Sequence, residues 1–385
     1  MKVIHTADWH LGRLFHAQHL TEDQAHVLEQ LICVIRDFRP DALIVAGDIY
    51  DRAVPPPEAV RLLDHFLREV ALGLRVPVIM IAGNHDSPDR LGFGAELLRL
   101  QNVHIFGSPT DPCGRVTLDD GHGPVHVYCL PYAEPPLVRA CLGEANLTSH
   151  EQAVGACVRR IRAAHHPGHR SILVGHAFVV GGEESRDSER PLAIGGADQV
   201  DASCFDGFDY VALGHLHRPQ RLADGRIRYS GSLLKYSFSE TDHRKGVHLV
   251  EMNGAGRCHV EDVPLTPQRD VRRVRGRFED LVSNPEAYGS AQDYLLVELE
   301  DEGLILDAMG RLREWFPNVM HIERLNLGTS GPANGTRPNH RDARTEEIFS
   351  RFFLDMTGVE ITKPQKEAFT TVLEQMERQG REAAV

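Results

Sequence analysis

Short apolar, β-prone runs alternate with amphipathic helical segments through the first two thirds of the chain. The runs are Val3–Ile4, Ala42–Ala46, Pro77–Ala82, Val125–Leu130, Ser171–Val174, Asp209–Leu213 and Gly246–Glu251. Between the early runs, Gln24–Phe38 and Pro57–Val70 are amphipathic; in the second, the apolar residues at helical spacing are Val60, Leu63, Leu67 and Val70. This alternation predicts a layered α/β domain around a buried, largely parallel or mixed sheet.

A second region begins after a joint at Leu265–Gln268. Arg269–Leu327 reads as strand, helix, strand, helix, strand, which predicts a small α+β domain. The stretch that follows is rich in Gly, Pro, Asn and Ser, as linkers are. We therefore expect a main domain over 1–265, a cap domain over 266–328, a linker over 329–341 and terminal helices over 342–385.

Two short helices are predicted in the terminal segment. The first is marked by the apolar residues Ile348, Phe352, Phe353 and Met356. In the second, Thr362 is the expected N-cap, Pro364 lies in the opening turn, and the apolar stripe is Phe369, Val372, Leu373 and Met376. Helices of this length are marginal alone, so they either fold back on the main domain or dock on a partner. The linker before them favours a partner.

Composition limits the function classes. The chain has 385 residues, 42% of them hydrophobic, and a formal net charge of -13. Nucleic-acid binders that rely on phosphate attraction are normally basic, so DNA binding would need local positive charge, metal or a partner. No apolar stretch approaches the roughly 18 residues of a membrane span. The early charged residues argue against an export signal, and seven scattered Cys suit reduced thiols, so we expect a cytoplasmic protein.

Five of the apolar runs end in Asp, Asn or His, and at four of these ends a glycine stands just before the polar residue. The polar residues are Asp8, His10, Asp48, Asn84, His176, His215 and His217. Strand carboxyl ends form the ligand crevice of open α/β sheets, and glycine permits a sharp turn there. The D-x-H and H-x-H spacings place both side chains of a pair on one face of an extended segment, so each pair is expected to reach one centre.

Two Asp, one Asn and four His exceed the about four ligands that tetrahedral zinc needs. Oxygen and nitrogen donors without thiolate suit two ions such as Mn²⁺, Fe²⁺, Zn²⁺ or Mg²⁺, with one carboxylate bridging them. Such a pair would hold a phosphate oxygen and activate water. Taken singly, each residue is more often a cap or a turn, and Asn84-His85-Asp86 is good turn chemistry by itself. The metal hypothesis depends on all five ends together.

The motif order D-x-H, G-D-x-x-D, G-N-H-D, G-H, G-H-x-H resembles the calcineurin-like metallophosphoesterases. Within this family, the chain resembles the SbcD nuclease branch over essentially its whole length. The segments that carry this resemblance are HTADWHLGRLF, AGDIYDRAVPP, AGNHDSPDRL, GHLHRPQ and YSGSLLKYSFSE with Lys245-Gly246. The resemblance implies a core of two sheets flanked by helices, a small α+β cap and a C-terminal helix pair. It also implies a DNA nuclease of repair and recombination, an exonuclease on duplex ends and an endonuclease on hairpins and single strands.

The resemblance further assigns site residues. One ion would be held by Asp8, His10 and His217, the other by Asn84, His176 and His215, with Asp48 bridging. Mn²⁺ is the expected metal, with Mg²⁺, Fe²⁺ and Zn²⁺ as alternatives. His85 would stabilise the transition state or protonate the leaving oxygen.

Archaeal and eukaryotic relatives carry a second histidine where this chain has Asp51. This departure puts any second-histidine role in doubt. Asp51 is instead a candidate for orienting a neighbouring histidine as its hydrogen-bond partner.

Partner surfaces are also implied. Arg269, Arg272, Arg273, Arg275 and Arg277 form a positive stripe that either touches DNA phosphates or is a solvated strand face. In the family the terminal helices bind an SbcC-type ATPase, which would supply much of the DNA affinity. The resemblance also implies a homodimer through early helices. Pro57–Val70 is the candidate dimer contact, and the alternative is that its apolar residues pack in the core. Together with the ATPase, the dimer would form a heterotetramer.

Two other functions remain open. The same metal centre would serve a phosphoesterase acting on phosphoproteins or small cyclic nucleotides. A non-catalytic, metal-dependent DNA-end tether is the alternative from another class. The presence of all seven ligands argues against the tether, because a scaffold without activity would be expected to lose some of them.

Overall fold

The computed structural model describes residues 1–110, 113–185, 199–301, 303, 305–324, 349–350, 353–354 and 359–382. It divides into two compact units, Met1–Val271 and Arg272–Val385. All seven cysteines are free thiols. Within the described residues, no helix combines the length and the apolar character needed to cross a membrane.

The first unit holds two sheets and the helices around them. Its strands are β1 (Lys2–Thr6), β2 (Leu14–Phe15), β3 (Gln18–His19), β4 (Ala42–Ala46), β5 (Val78–Ile81), β6 (Val103–Phe106), β7 (Gly114–Asp120), β8 (Gly123–Leu130), β9 (Arg170–His176), β10 (Phe178–Val179), β11 (Gln199–Val200), β12 (Tyr210–Gly214), β13 (Gln220–Leu222), β14 (Ile227–Tyr229), β15 (Gly246–Met252) and β16 (Cys258–Pro264). Its helices are α1 (Thr21–Phe38), α2 (Pro57–Leu67), α3 (Pro88–Leu91), α4 (Ala95–Arg99), α5 (Pro135–Leu142) and α6 (His150–Ala164).

Both large sheets are six-stranded and mixed. The first has the order β16-β15-β1-β4-β5-β6, in which β1, β4, β5 and β6 are parallel. At its other edge, β15 is antiparallel to β1, and β16 is antiparallel to β15. The second has the order β13-β14-β12-β9-β8-β7, with four parallel strands between two antiparallel edges. Each predicted apolar run is a strand of one of these sheets, so the α/β layered prediction is confirmed.

The sheets pack face to face. One apolar cluster joins residues such as Ile44 and Ile79 of the first sheet to Ile172 and Ala212 of the second. A second cluster joins the other face of the second sheet to α5 and α6. Because both faces are covered, the central strands are apolar throughout; β4 is buried at every position.

The apolar stripe predicted for α2 is partly wrong. The α-helix ends at Leu67 and continues as a π-helix over Arg68–Gly73. Its buried face includes Phe66, whose ring lies 4.9 Å from that of Trp9, whereas Val60 is 45% exposed. Two overlapping helical stripes are present in this sequence, and the packing of Phe66 selects the one that excludes Val60.

The second unit contains a three-stranded sheet in the order β17 (Val271–Gly276), β18 (Tyr294–Leu299) and β19 (Val319–Arg324). Helices α7 (Phe278–Ser283) and α8 (Ala308–Arg313) lie between these strands in the chain. Leu281, Val297, Leu312 and Phe316 belong to its core. The predicted strand–helix–strand–helix–strand pattern is therefore confirmed, and β17 begins at the division between the two units.

Helix α9 (Lys363–Glu382) has 20 residues and is longer than the short helix expected there. Its predicted start is confirmed: the Thr362 backbone N–H and hydroxyl both donate to Gln365 Oε1, at 2.9 and 2.7 Å, as in half of a capping box. Phe369 of its stripe stacks on Phe349, with ring centroids 3.7 Å apart. The linker 329–341, the helix markers Ile348, Phe352 and Met356, and the side chains of Leu373 and Met376 lie outside the described residues.

Candidate metal centre

All seven predicted ligands meet where the carboxyl ends of the two sheets face each other. Asp8 and His10 follow β1, Asp48 follows β4, and Asn84 follows β5, all in the first sheet. The second sheet contributes His176 at the end of β9 and His215 and His217 after β12. Asn84 is half-buried, and the other six residues are buried.

Six of the seven residues form two donor groups joined by one carboxylate, and Asp8 lies close enough to Asp48 and His176 to share a cation with them. Asn84 Oδ1 lies 2.9 Å from His176 Nε2 and 3.2 Å from His215 Nδ1. Separately, His10 Nε2 lies 3.0 Å from His217 Nε2. Asp48 Oδ2 is 3.6 Å from both His10 Nε2 and His176 Nε2, so it lies between the groups.

These separations fit shared cations. Ligands about 2.1 Å from one octahedral ion stand about 3 Å apart. Two imidazole nitrogens at 3.0 Å satisfy each other only if one of them carries a proton, whereas a cation satisfies both. His215 Nε2 is also buried without a hydrogen-bond partner among the described atoms. The residues present therefore fit divalent metal binding, and seven donors are enough for two ions.

Burial keeps the imidazoles in the form that binds metal. It lowers the pKa of His10 and His176, lowers that of His215 far below the usual value, and lowers that of His217 to about 3. Burial alone would raise the pKa of Asp48, but the neighbouring His176 and His10 hold it well below its usual range. The site therefore combines an ionised carboxylate with neutral nitrogen donors, which is the protonation state that metal binding requires.

The backbone of the site is left-handed at several ligands. The φ angles are 53° at Asp8, 46° at His10, 50° at Asp48 and 107° at His215. Non-glycine residues in such conformations cost of order 1–3 kcal/mol each and concentrate at functional sites. The expected extended geometry of the D-x-H and H-x-H pairs is therefore wrong. In particular, His215 faces Asn84 whereas His217 faces His10, so this pair does not reach one centre.

Two glycines make room for these contacts. A Cβ at Gly47, where φ is 92°, would overlap the ring of His176. A Cβ at Gly214 would overlap both that ring and the carbonyl oxygen of Ala46. These two glycines are thus required because neighbouring atoms lie too close for a Cβ, and also because the chain turns sharply there.

Comparison with known proteins identifies the family. The family model described as calcineurin-like phosphoesterase matches residues 1–219. The chain belongs to the calcineurin-like phosphoesterase family. A second model, SbcD_C, described as type 5 capsule protein repressor C-terminal domain, matches residues 267–357. Together the two matches support an SbcD-type protein, and phosphoester hydrolysis at a metal centre agrees with the donor set.

Two solved structures resemble this phosphoesterase. One is the protein TT1561 of Thermus thermophilus, with 14% identity and a TM-score of 0.39. The other is a dimetal phosphatase from Danio rerio, with 13% identity and a TM-score of 0.41. Each similarity covers 68% of this chain and 98% of the other.

His85 lies beside the phosphoesterase centre without joining either donor group. Its backbone N–H donates to Asp48 Oδ1 at 2.9 Å, and its Nδ1 donates to the carbonyl oxygen of Asp51 at 2.8 Å. A carbonyl can only accept, so the proton is on Nδ1. The ring is half-buried, and its Nε2 takes no part in the hydrogen bond to Asp51.

Asp51 contacts both neighbouring histidines. Its Oδ1 lies 3.5 Å from His10 Nδ1 and accepts from Arg13 Nη1 at 2.8 Å. Burial would raise the pKa of Asp51, but His10 and Arg13 hold it well below its usual range. His10, Asp51 and His85 are also close enough to share a cation. The Asp51 backbone carbonyl thus holds the His85 ring, whereas its carboxylate accepts from Arg13 and makes no hydrogen bond with His10 Nδ1 among the described atoms.

Two residues that hold the ligand loops were not predicted as site residues, although Asp86 is the last residue of the G-N-H-D motif. The Asp86 carboxylate accepts from the backbone N–H groups of Ile49, Tyr50 and Gly83, at 3.1, 2.9 and 2.9 Å. Burial, followed by repulsion from Asp48, raises the pKa of Asp86 to about 7. In addition, Gln24 Nε2 donates to the carbonyl oxygen of His10 at 2.7 Å. Gln24 lies on α1, and a side-chain contact to a distant loop cannot be read from local periodicity.

The arginine stripe is largely neutralised. Arg269 pairs with Asp23 at 3.0 Å, Arg272 with Asp293 at 2.6 Å, Arg273 with Glu298 at 3.1 Å and Arg275 with Glu300 at 2.6 Å. Arg277 is exposed, with no ion pair among the described residues. These pairs favour the interpretation as a solvated strand face for four of the five residues.

Proposed function

We propose that this phosphoesterase is a DNA nuclease that hydrolyses phosphodiester bonds by a two-metal mechanism. Asp8, His10 and His217 would hold one ion, Asn84, His176 and His215 would hold the other, and Asp48 would contribute to both. The observation that carries the proposal is the equal distance of 3.6 Å from Asp48 Oδ2 to a nitrogen of each donor group. Two bound divalent ions supply Lewis-acid activation of water and stabilisation of phosphoryl charge.

The chain's own residues contribute orientation and proton transfer. The Asp51 carbonyl holds the His85 ring through Nδ1, so Nε2 is the atom that reaches the substrate. A protonated His85 donates from Nε2 to the leaving 3′ oxygen or to a charged phosphate oxygen. Asp51 in turn lies between His10 and Arg13, which couples the position of this ring to the first donor group.

DNA as the substrate is supported by the SbcD_C match over residues 267–357. We infer that an SbcC-type ATPase binds the segment after Arg341. A partner that supplies DNA affinity would compensate for the net charge of -13. The seven free thiols suit the reducing cytoplasm in which repair and recombination take place.

A homodimer through the α2 region is part of the proposal. Val60, Leu72 and Phe93 are 45%, 54% and 86% exposed and line one groove of about 490 Å³. Apolar side chains grouped in this way mark protein contact surfaces. The proposed assembly is two copies of this chain with two copies of the ATPase.

A nuclease assay with Mn²⁺ tests the function. Blunt duplex, hairpin and single-stranded DNA are incubated with the protein alone and with the ATPase, alongside a phosphopeptide, a cyclic nucleotide and a chromogenic phosphodiester. We expect DNA cleavage that EDTA abolishes. Turnover of only the small phosphate esters would favour the alternative phosphoesterase, and Mn²⁺-dependent DNA binding without any hydrolysis would favour the tether.

A further inference from the structure

A buried ion pair lies behind the metal ligand His217. Glu240 and Lys245 are 0% and 7% exposed, and Lys245 Nζ contacts Glu240 Oε2. Lys245 Nζ also donates to the carbonyl oxygen of His217 and to Ser232 Oγ, both at 2.7 Å. Glu240 Oε1 accepts from His217 Nδ1 at 3.2 Å. The same pair therefore holds both the backbone and the ring of one ligand.

The contact with Glu240 determines which ring nitrogen of His217 can bind metal. Glu240 Oε2 is paired with the Lys245 ammonium, so the carboxylate is the acceptor in the contact with His217 Nδ1. The proton of the neutral imidazole is then on Nδ1, and the lone pair is on Nε2. Nε2 is the atom that lies 3.0 Å from His10 Nε2 in the donor group.

Stability does not account for this pair. A buried ion pair gains little over apolar residues of the same volume, because desolvation offsets the attraction between the charges. Lys245 neutralises Glu240, so the carboxylate orients the ring without adding net negative charge behind it. A carboxylate that accepts from the distal nitrogen of a metal-bound histidine fixes its tautomer and raises its basicity.

We propose that Glu240 is a positioning residue for His217, with Lys245 as its counter-charge, and that the pair sets the affinity of the ion held with Asp8 and His10. This inference rests on the ion assignment of the proposed function. It extends that assignment because Glu240 and Lys245 belong to neither donor group and act on the site through His217.

The test uses Mn²⁺ binding by calorimetry on the full chain and on two variants, Glu240→Gln and the double variant Glu240→Leu with Lys245→Met. The double variant removes both charges together, so it avoids leaving one buried charge unpaired. We expect one of the two Mn²⁺ sites to weaken about 10- to 100-fold in the double variant and about 10-fold in Glu240→Gln, with the other site unchanged. Asp242→Asn is the matched control: Asp242 is 65% exposed and pairs with Arg218, so we expect both affinities unchanged.

A second readout uses the metal-free protein. In a ¹⁵N-histidine NMR spectrum, the His217 signal, identified by its absence in His217→Asn, should report a proton on Nδ1 in the parent and a change of tautomer in the double variant. Folded variants with both Mn²⁺ affinities within about twofold of the parent, or with an unchanged His217 tautomer, would overturn the inference. A parent that binds two Mn²⁺ ions without cleaving DNA would overturn only the nuclease proposal.

Discussion

Arg272 and Arg277, two residues of the arginine stripe that lie in the second unit, offer a direct test of its role. Arg272 Nε donates to Asp293 at 2.6 Å, and its two terminal nitrogens donate to the carbonyl oxygens of Tyr288 and Ser290, at 2.7 and 2.9 Å. Its guanidinium thus ties β17 to the segment before β18. Arg277 is exposed and makes no ion pair among the described residues. We therefore expect substitution of Arg272 to affect stability and substitution of Arg277 to affect DNA binding.

The magnitude follows from these contacts. Two hydrogen bonds from a charged donor are worth about 1.5 kcal/mol each at the low end. The ion pair, whose side chains are 27% and 11% exposed, adds about 1 kcal/mol before solvent screening reduces it. Arg272→Ala should therefore lower the free energy of unfolding by about 3–4 kcal/mol. Arg272→Lys should recover only part of this loss, because one ammonium cannot reach three acceptors spread around a planar fork.

Urea titrations followed by circular dichroism measure the first effect, and the salt dependence of DNA affinity measures the second. Arg277→Ala should change the unfolding free energy by less than about 0.5 kcal/mol. If Arg277 touches a phosphate, its loss lowers the slope of log K against log salt by about 0.9. An Arg272→Ala protein of unchanged stability whose salt slope falls would refute this reasoning, because Arg272 would then be a DNA contact and not a structural tie.

Three further predictions concern the centre, the partner segment and acid stability. His85→Ala should retain metal content by elemental analysis and lose most DNA cleavage, and full residual activity would remove His85 from the mechanism. Deletion of the residues after Arg341 should abolish co-purification with the ATPase and leave metal content intact; unchanged co-purification would contradict the partner assignment. Burial lowers the pKa of His5 far below its usual value, so this imidazole stays neutral in the folded protein. In the unfolded chain the same imidazole takes up a proton below about pH 6.5. Stability in EDTA should therefore fall as the pH drops below that value, and His5→Gln should reduce the slope by about 1.4 kcal/mol per pH unit in urea titrations; an unchanged slope would show that His5 is not responsible.

Much of the fold follows from local patterns. The apolar runs are strands because residues such as Ile44 and Ile172, on strands of opposite sheets, are buried by facing layers, and this requires continuous hydrophobicity. The start of α9 follows from Thr362 and Gln365, which lie three positions apart and meet in one turn. These features depend on spacings of a few residues, so they can be read from the chain alone.

The stripe of α2 marks the limit of such local reasoning. Val60 and Ala59 are adjacent, and either can lie on the inner face of a helix that also buries Leu63. The ring of Trp9, far earlier in the chain, decides between them by packing on Phe66. Periodicity can predict that a helix buries one face, but the neighbouring element selects which of two similar faces it is.

The sequence by itself determined which residue types stand at the strand ends and, from them, the chemistry of the centre: carboxylates, an amide and imidazoles. The tertiary structure decided how they are grouped. His215 and His217 are two positions apart yet face different donor groups, because the left-handed backbone at His215 redirects the chain. It also decided that Glu240, from a distant segment, holds the ring of His217. Spacing along a chain specifies direction only while the backbone is regular, and at this site strained turns and buried contacts between distant segments determine where each side chain points.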